Sequence, residues 1–361
     1  MNKGSGNLRG GEGAIYSLKR LYESFGYSQY KMSKFEEYEL YVRNKSFLVS
    51  DHIITFTDLS GSLMALKPDV TLSIVKNSPE KEDGICKVYY NENVYRVPKG
   101  ALTFKEIMQA GLECIGEIDN YAIAEVLTLA VKSLEAVSGD YVLDVSHMGV
   151  LSRLIDEIGL SAKAREDLLS CIGEKNIHGI DAICKEEGKS ADIIKKLLMM
   201  KGSADEMLEI LKETSSYADA CEMAEILSAL TGKVRIDFSV IDDTNYYSGI
   251  VFKGFINGIP TDVLTGGRYD KLMKRMGKSS GAIGFAVYLD LLSELDGDAP
   301  EYDGDALVLY SSDTDIKAVL KLIDELSASG KSVSAQKTVP ERLKYREIID
   351  LREDSVKVTF N

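Results

Sequence analysis

The sequence is short of the residues that metal and disulfide chemistry require. It has five cysteines (Cys86, Cys114, Cys171, Cys184, Cys221) and three histidines (His52, His147, His178) in 361 residues. No C-x-x-C occurs and the histidines lie far apart, so no metal-ligand spacing exists and no metal is expected. A scattered, odd set of cysteines reads as free buried thiols in a reducing cytoplasm. Positive charge is also scarce: 43 Lys and Arg stand against 57 Asp and Glu, a formal charge of −14. That disfavours a broad nucleic-acid surface, which relies on Lys and Arg replacing phosphate counterions. No apolar run reaches membrane-spanning length. The first residues, MNKGSGNLRGGEG, hold no apolar core, so a secretory signal is not expected.

What is present is 45% hydrophobic and 28% charged, ordinary for a globular chain. The length allows two or three domains and a large core. Residues 12–25 carry Ile15, Leu18, Leu21, Tyr22 and Phe25 at helical spacing, and Gly26 stops the helix. Residues 53–66 alternate around a Ser-Gly turn, a hairpin signal. Asp69 stands where it would cap or precede the helix that follows. Residues 86–97 read as a strand pair or one bent strand, 119–137 as an amphipathic helix, and 141–147 as a strand. From 149 to 232 helical spacing takes over, giving an insertion of four to six helices. Residues 234–240 return to strand. An acidic linker at 294–305 precedes a βαβ pattern at 306–310, 315–327 and 332–336, then a helix at 341–351 and a last strand at 356–360.

The densest chemistry lies in 245–292. A strand at 250–256 and a return strand from Val263 run into a Gly-Gly-Arg-Tyr-Asp turn at 266–270. Consecutive glycines let a backbone approach a ligand closely, so Gly266, Gly267 and Arg268 are either a pocket floor or a plain tight turn. Upstream, Arg96 ends a strand and could clamp a carboxylate or phosphate, or pair with nearby acids. On a strand, Gln109, Gly111 and Glu113 share one face, so the two polar groups would meet the same ligand.

Three pieces in order, Tyr246-Tyr247-x-Gly249-x-Val251-Phe252, Gly266 to Asp270, and Ala282-Ile283-Gly284-Phe285-Ala286, resemble histidyl-tRNA synthetases, which are class II synthetases. Leu66-Lys67-Pro68-Asp69-Val70-Thr71 and Tyr95-Arg96 with Gln109 to Glu113 extend the resemblance. It implies an α+β fold: a class II synthetase-like antiparallel sheet with flanking helices, a helical insertion and a small C-terminal α/β domain. The expected divisions are 1–148 and 233–295 for the core, 149–232 for the insertion, 296–305 for the linker and 306–361 for the small domain. The resemblance also implies that Asp69, Thr71, Arg96, Gln109, Glu113, Tyr246 and Tyr247 hold histidine.

The departures matter as much. Where the synthetases place an arginine beside the reacting carboxylate, this chain has Asp242. Where their third motif ends in a γ-phosphate arginine, it has Leu291. Electrostatic groups of this kind are each worth ~10²–10³ in rate, so adenylation is expected to be lost. Keeping the histidine contacts while losing the ATP contacts resembles the regulatory subunits of ATP phosphoribosyltransferase, a paralogous family. That implies a non-catalytic, cytoplasmic protein of histidine biosynthesis, without cofactor or tRNA. It would form a homodimer within a hetero-octamer with a short catalytic subunit, activate that subunit and relay feedback inhibition by L-histidine. A divergent histidyl-tRNA synthetase and a stand-alone amino-acid-binding module are the alternatives.

Overall fold

The computed structural model describes residues 10–48, 52–78, 84–97, 102–241, 247–295, 302–352 and 357–360. The chain divides into two compact units, Gly10–Leu295 and a C-terminal unit within Asp296–Asn361.

The larger unit opens with helix α1 (Gly10–Ser24), ended by Gly26 at a positive φ of 83°. Short strands β1 (Ser28–Gln29) and β2 (Phe35–Glu37), helix α2 (Tyr38–Arg43), and strands β3 (Thr55–Thr57) and β4 (Leu63–Leu66) follow. Helix α3 (Thr71–Asn77) leads to two long strands, β5 (Cys86–Arg96) and β6 (Lys105–Gly116). Residues 86–96 are therefore one continuous strand. Helix α4 (Asn120–Val137) and strand β7 (Tyr141–His147) precede the six insertion helices: α5 (Met148–Ile158), α6 (Ala162–Gly173), α7 (Ile177–Glu186), α8 (Asp192–Met199), α9 (Ala204–Leu211) and α10 (Tyr217–Ser228). The unit closes with β8 (Val234–Ile236), β9 (Ile250–Ile256), β10 (Leu264–Arg268), helix α11 (Asp270–Arg275), β11 (Gly281–Tyr288) and a 3-10 segment, Leu289–Leu295.

Eight strands form one sheet in the order β1-β5-β6-β11-β10-β9-β7-β8. Its six central strands are antiparallel, and a short parallel strand lies on each edge. Strand alternation sends successive side chains to opposite faces. On β6, Ala110, Leu112 and Cys114 enter the main core with Leu18 and Tyr22 of α1 and Leu127 and Leu134 of α4. Each fully buried leucine there contributes ~1.5–3 kcal/mol relative to exposure. The other face of β6 carries Gln109, Gly111, Glu113 and Ile115. It looks onto a second core built from Tyr41, Val70, Leu72, Tyr90, Tyr269 and Leu272. A separate three-stranded sheet has the order β2-β4-β3.

Insertion helices start on polar caps: Ser161 accepts from Ala164 N, Asn176 from Gly179 N and Ser203 from Glu206 N. Histidine 147 caps α5 through Nδ1, which accepts from Val150 N at 3.2 Å. Burial pushes its imidazole down to about 4, keeping that nitrogen unprotonated.

In the C-terminal unit, strands β12 (Gly304–Leu309), β13 (Val333–Gln336), β14 (Tyr345–Asp350) and β15 (Lys357–Phe360) form a sheet in the order β13-β12-β14-β15. Helix α12 (Ile316–Ala328), capped by Asp315, joins the parallel pair β12 and β13 as a βαβ unit.

Four expectations change. The helix expected over 341–351 is strand β14: Tyr345, Glu347 and Ile349 alternate inward at period two, and Glu347 pairs with Lys331 at 2.7 Å. The strand expected over 234–240 stops at Ile236, because Asp237 caps the next turn through Ser239 and takes Lys175. Gly266, Gly267 and Arg268 lie within β10 and not in a turn: the two glycines pair with both β9 and β11, and Arg268 pairs with Ile283 of β11. All five cysteines are free, but Cys221 is exposed while Cys114 and Cys184 are buried.

Candidate functional site

The second face of the large sheet presents a cluster of buried polar groups, centred on Glu113. Its side chain is supplied by β6, and the residue is 2% exposed. Thr71, the first residue of α3, donates its hydroxyl to Glu113 Oε1 at 2.8 Å. Tyr269, placed by the exit of β10, donates to Oε2 at 2.6 Å. Both oxygens are thus oriented by hydroxyls, and no cation pairs with the group among the described residues. Burial pushes the Glu113 carboxyl up to about 8; the bonds from Tyr269 and Thr71 counter this, and the Asp69 carboxylate adds to it.

Asp69 ends the approach to α3 and accepts from Leu72 N at 2.8 Å, so the sequence-level capping role is real. The residue keeps some surface open, yet its carboxyl sits deep enough that burial raises it, against the pull of Leu72 N–H and the Arg96 charge. Arg96 is buried at the end of β5, with its guanidinium 5.8 Å above the ring of Tyr288. Among the described residues its guanidinium has no hydrogen-bonded acceptor, and the side-chain amide of Gln109, also buried, has none either. Buried donors left in that state are free to take a ligand. The strand register explains the convergence. Gln109 sits opposite Tyr288, Gly111 opposite Ala286 and Glu113 opposite Gly284. Arg96, Gln109 and Glu113 therefore line one trough along the sheet.

Glycine makes that trough possible at two places. A Cβ on Gly284 would overlap Glu113 Oε2 and lie 2.6 Å from its Cδ. A Cβ on Gly267 would come within 2.6 Å of Cδ1 of Tyr247, whose ring covers that position. Gly267 and Tyr247 thus belong to this side of the sheet. Gly266 does not: it faces the helix-covered side, where Phe252 and Phe285 meet edge-on, 6.2 Å between centroids. The Arg268 guanidinium pairs with Asp270 at 2.9 Å and with no group of the Glu113 cluster. Tyr246 and Asp242 fall outside the described residues. Leu291 lies in the 3-10 segment and packs against the main core.

Sequence reasoning did not assign Tyr269 or Gly284 to the site, though both stand in the motifs quoted. The partner of a hydroxyl 156 residues away cannot be read from spacing alone. Lys67 was likewise passed over. Its side chain is 1% exposed and its ammonium meets Glu92 at 2.5 Å, tying the end of β4 to the trough strand. A separate cavity of about 400 Å³, lined by Tyr38, His52, Ile53, Thr55, Leu63 and Phe104, shares no residue with this cluster. Among the described residues no group of three or more His, Cys, Asp or Glu could hold a metal ion, and no helix is long and apolar enough to cross a membrane.

Comparison with known proteins points the same way. The family model described as Histidyl-tRNA synthetase matches residues 11–292. A protein named ATP phosphoribosyltransferase regulatory subunit from Caldanaerobacter subterraneus is 31% identical over 289 residues, covering 76% of this chain and 75% of that one. A histidine–tRNA ligase from Methanococcus maripaludis is 29% identical over 340 residues, covering 88% and 80%. The crystal structure described as an ATP phosphoribosyltransferase regulatory subunit/histidyl-tRNA synthetase from Bacillus halodurans superposes with a TM-score of 0.80 over 98% of each chain at 22% identity, a match of fold.

Proposed function

Since the chain belongs to the histidyl-tRNA synthetase family, and within it to the ATP phosphoribosyltransferase regulatory subunits, we propose that it is a non-catalytic histidine sensor. In this reading it assembles as a homodimer with a short-form catalytic subunit into a hetero-octamer in the cytoplasm. It activates that subunit and relays feedback inhibition by L-histidine, with no metal, cofactor or tRNA of its own.

One observation carries the reading: a trough with the polarity of an amino acid survives where phosphate-handling charge is lacking. Arg96 offers a fork of donors to a carboxylate. Asp69 is an acceptor for an ammonium group. Glu113, set deep and oriented by Thr71 and Tyr269, suits a polar ring, with Gln109 between the two ends. Tyr247 and Gly267 wall the trough, and Tyr246 is assigned to it by its family position. Leu291 puts a packed leucine where a synthetase holds an arginine against the γ-phosphate, and the sequence has Asp242 at the position where the synthetases carry an arginine.

The test is calorimetric titration of the full chain with L-histidine, with ATP–pyrophosphate exchange run on the same sample and the catalytic subunit assayed with and without the chain. Histidine binding without exchange, together with a histidine-sensitive gain in the catalytic subunit's activity, is the expected result. Histidine-dependent exchange would instead support a divergent synthetase, the second reading, which the similarity to the Methanococcus ligase favours. Tight binding of a different amino acid would leave a stand-alone binding module.

A further inference from the structure

Tyr90 plays no part in the reading above, yet its position singles it out. On β5 it lies directly opposite Gly111 of β6. Gly111 stands midway between Gln109 and Glu113 and shares their face. A Cβ on Gly111 would come within 2.5 Å of Tyr90 Oη and 2.6 Å of its Cζ. The tip of the phenol therefore occupies the side-chain slot between the two polar residues.

The residue is 2% exposed. Among the described residues its hydroxyl makes no hydrogen bond. Its tip lies over Gly111, on the sheet face that carries Gln109 and Glu113. Burial and the nearby Glu113, Asp69 and Tyr288 hold the phenol well above its ordinary range, so it remains an O–H group. Folded proteins seldom leave such a group unmet unless something else meets it.

We propose that Tyr90 is a direct ligand contact and selectivity determinant of this trough, its hydroxyl bonding the polar side chain of the bound amino acid. This rests on the amino-acid-site reading above. The geometry orients the ligand: a carboxylate at Arg96 places the side chain toward Glu113, and that path passes Tyr90. A neutral imidazole carries one N–H donor and one bare acceptor nitrogen. Glu113 meets one nitrogen and Tyr90 the other, since a hydroxyl serves in either role. Both ring nitrogens are then read, and a ring of equal size without them is refused.

The experiment is titration of the full chain, wild type and Tyr90→Phe, with L-histidine and with β-(2-thienyl)-L-alanine, whose ring lacks nitrogen. Tyr90→Phe is expected to lose about tenfold in histidine affinity and nothing for thienylalanine, narrowing the preference between them. An unchanged ratio would assign Tyr90 a packing role and overturn the proposal. Independently of any variant, the wild-type chain should reject both 1-methyl- and 3-methyl-L-histidine, because each ring nitrogen has a protein contact; tight binding of either would also overturn it. Failure of the wild-type chain to bind histidine at all would remove the amino-acid-site reading itself, and the role of Tyr90 with it.

Discussion

Tyr269 Oη lies 2.6 Å from Glu113 Oε2, although the residues stand 156 positions apart. The bond joins the exit of β10 to the middle of β6 across β11, so it exists only when the central sheet is correctly paired. Removing the hydroxyl leaves one oxygen of a buried carboxyl unmet. Tyr269→Phe is expected to cost about 1–3 kcal/mol of stability. It should also move the Glu113 carboxyl still higher, because one of the two bonds opposing burial is gone. Urea unfolding of the variant beside wild type measures the first effect; a midpoint equal to wild type would show that the bond contributes nothing net.

The raised Glu113 carboxyl makes a pH prediction of definite sign. Its position in the folded chain, about 8, lies above its ordinary 4.5. The folded state therefore binds the proton more tightly than the unfolded state. This contribution to stability is fully present below about pH 4.5 and is lost progressively as pH rises toward about 8. Glu113→Gln mimics the protonated carboxyl and removes the dependence. Between pH 5 and 8.5 the wild-type melting temperature should fall relative to that of Glu113→Gln. Parallel curves for the two proteins would sink this account.

Much of the core was legible in the sequence, and the reason is periodicity. Alternation placed β7 and the shared face of Gln109, Gly111 and Glu113. Helical spacing placed α1, α4 and the insertion. Residues 341–351 misled because Glu341, Arg342, Lys344, Arg346 and Glu347 look like a charged helix, whereas Glu347 is buried by its pairing with Lys331. Gly266 and Gly267 show a different limit. Adjacent residues on a strand face opposite ways, so only Gly267 could belong to the trough side, but a strand had to be known there first. The contacts from Thr71 and Tyr269 to Glu113, and the slot filled by Tyr90, arise from the order of strands in the sheet, which no local pattern encodes.

Lys67 and Glu92 give an asymmetric prediction. The lysine side chain is 1% exposed and that of the glutamate 18%, with 2.5 Å between the charged atoms. Removing the partner of a buried charge leaves that charge uncompensated, at about 3–5 kcal/mol. Glu92→Gln strands the better buried lysine and should approach that range. Lys67→Met leaves a glutamate that still reaches water, and an apolar side chain of similar length in its place, so it should cost less. Chemical denaturation of the two variants ranks them; the reverse order would mean that Glu92 is the charge held out of water.

Gly284 offers the sharpest separation of binding from stability. It pairs with Glu113 on one side and Gly267 on the other. A Cβ there would overlap Glu113 Oε2 and the backbone carbonyl of Leu112, so Gly284→Ala must push the carboxyl away from Thr71 and Tyr269. Gly254 is the control. A Cβ on it would meet Leu134 Cδ1 at 2.8 Å and Cδ2 at 2.9 Å, the far end of a flexible side chain on the helix-covered face. Both substitutions overpack the sheet, at about 1–3 kcal/mol each. Only Gly284→Ala disturbs the trough. It should lose histidine binding by at least ~30-fold, the equivalent of about 2 kcal/mol, while Gly254→Ala binds as wild type. The same titration on the two folded variants decides the matter: equal affinities would show that the position of the Glu113 carboxyl is irrelevant to the ligand.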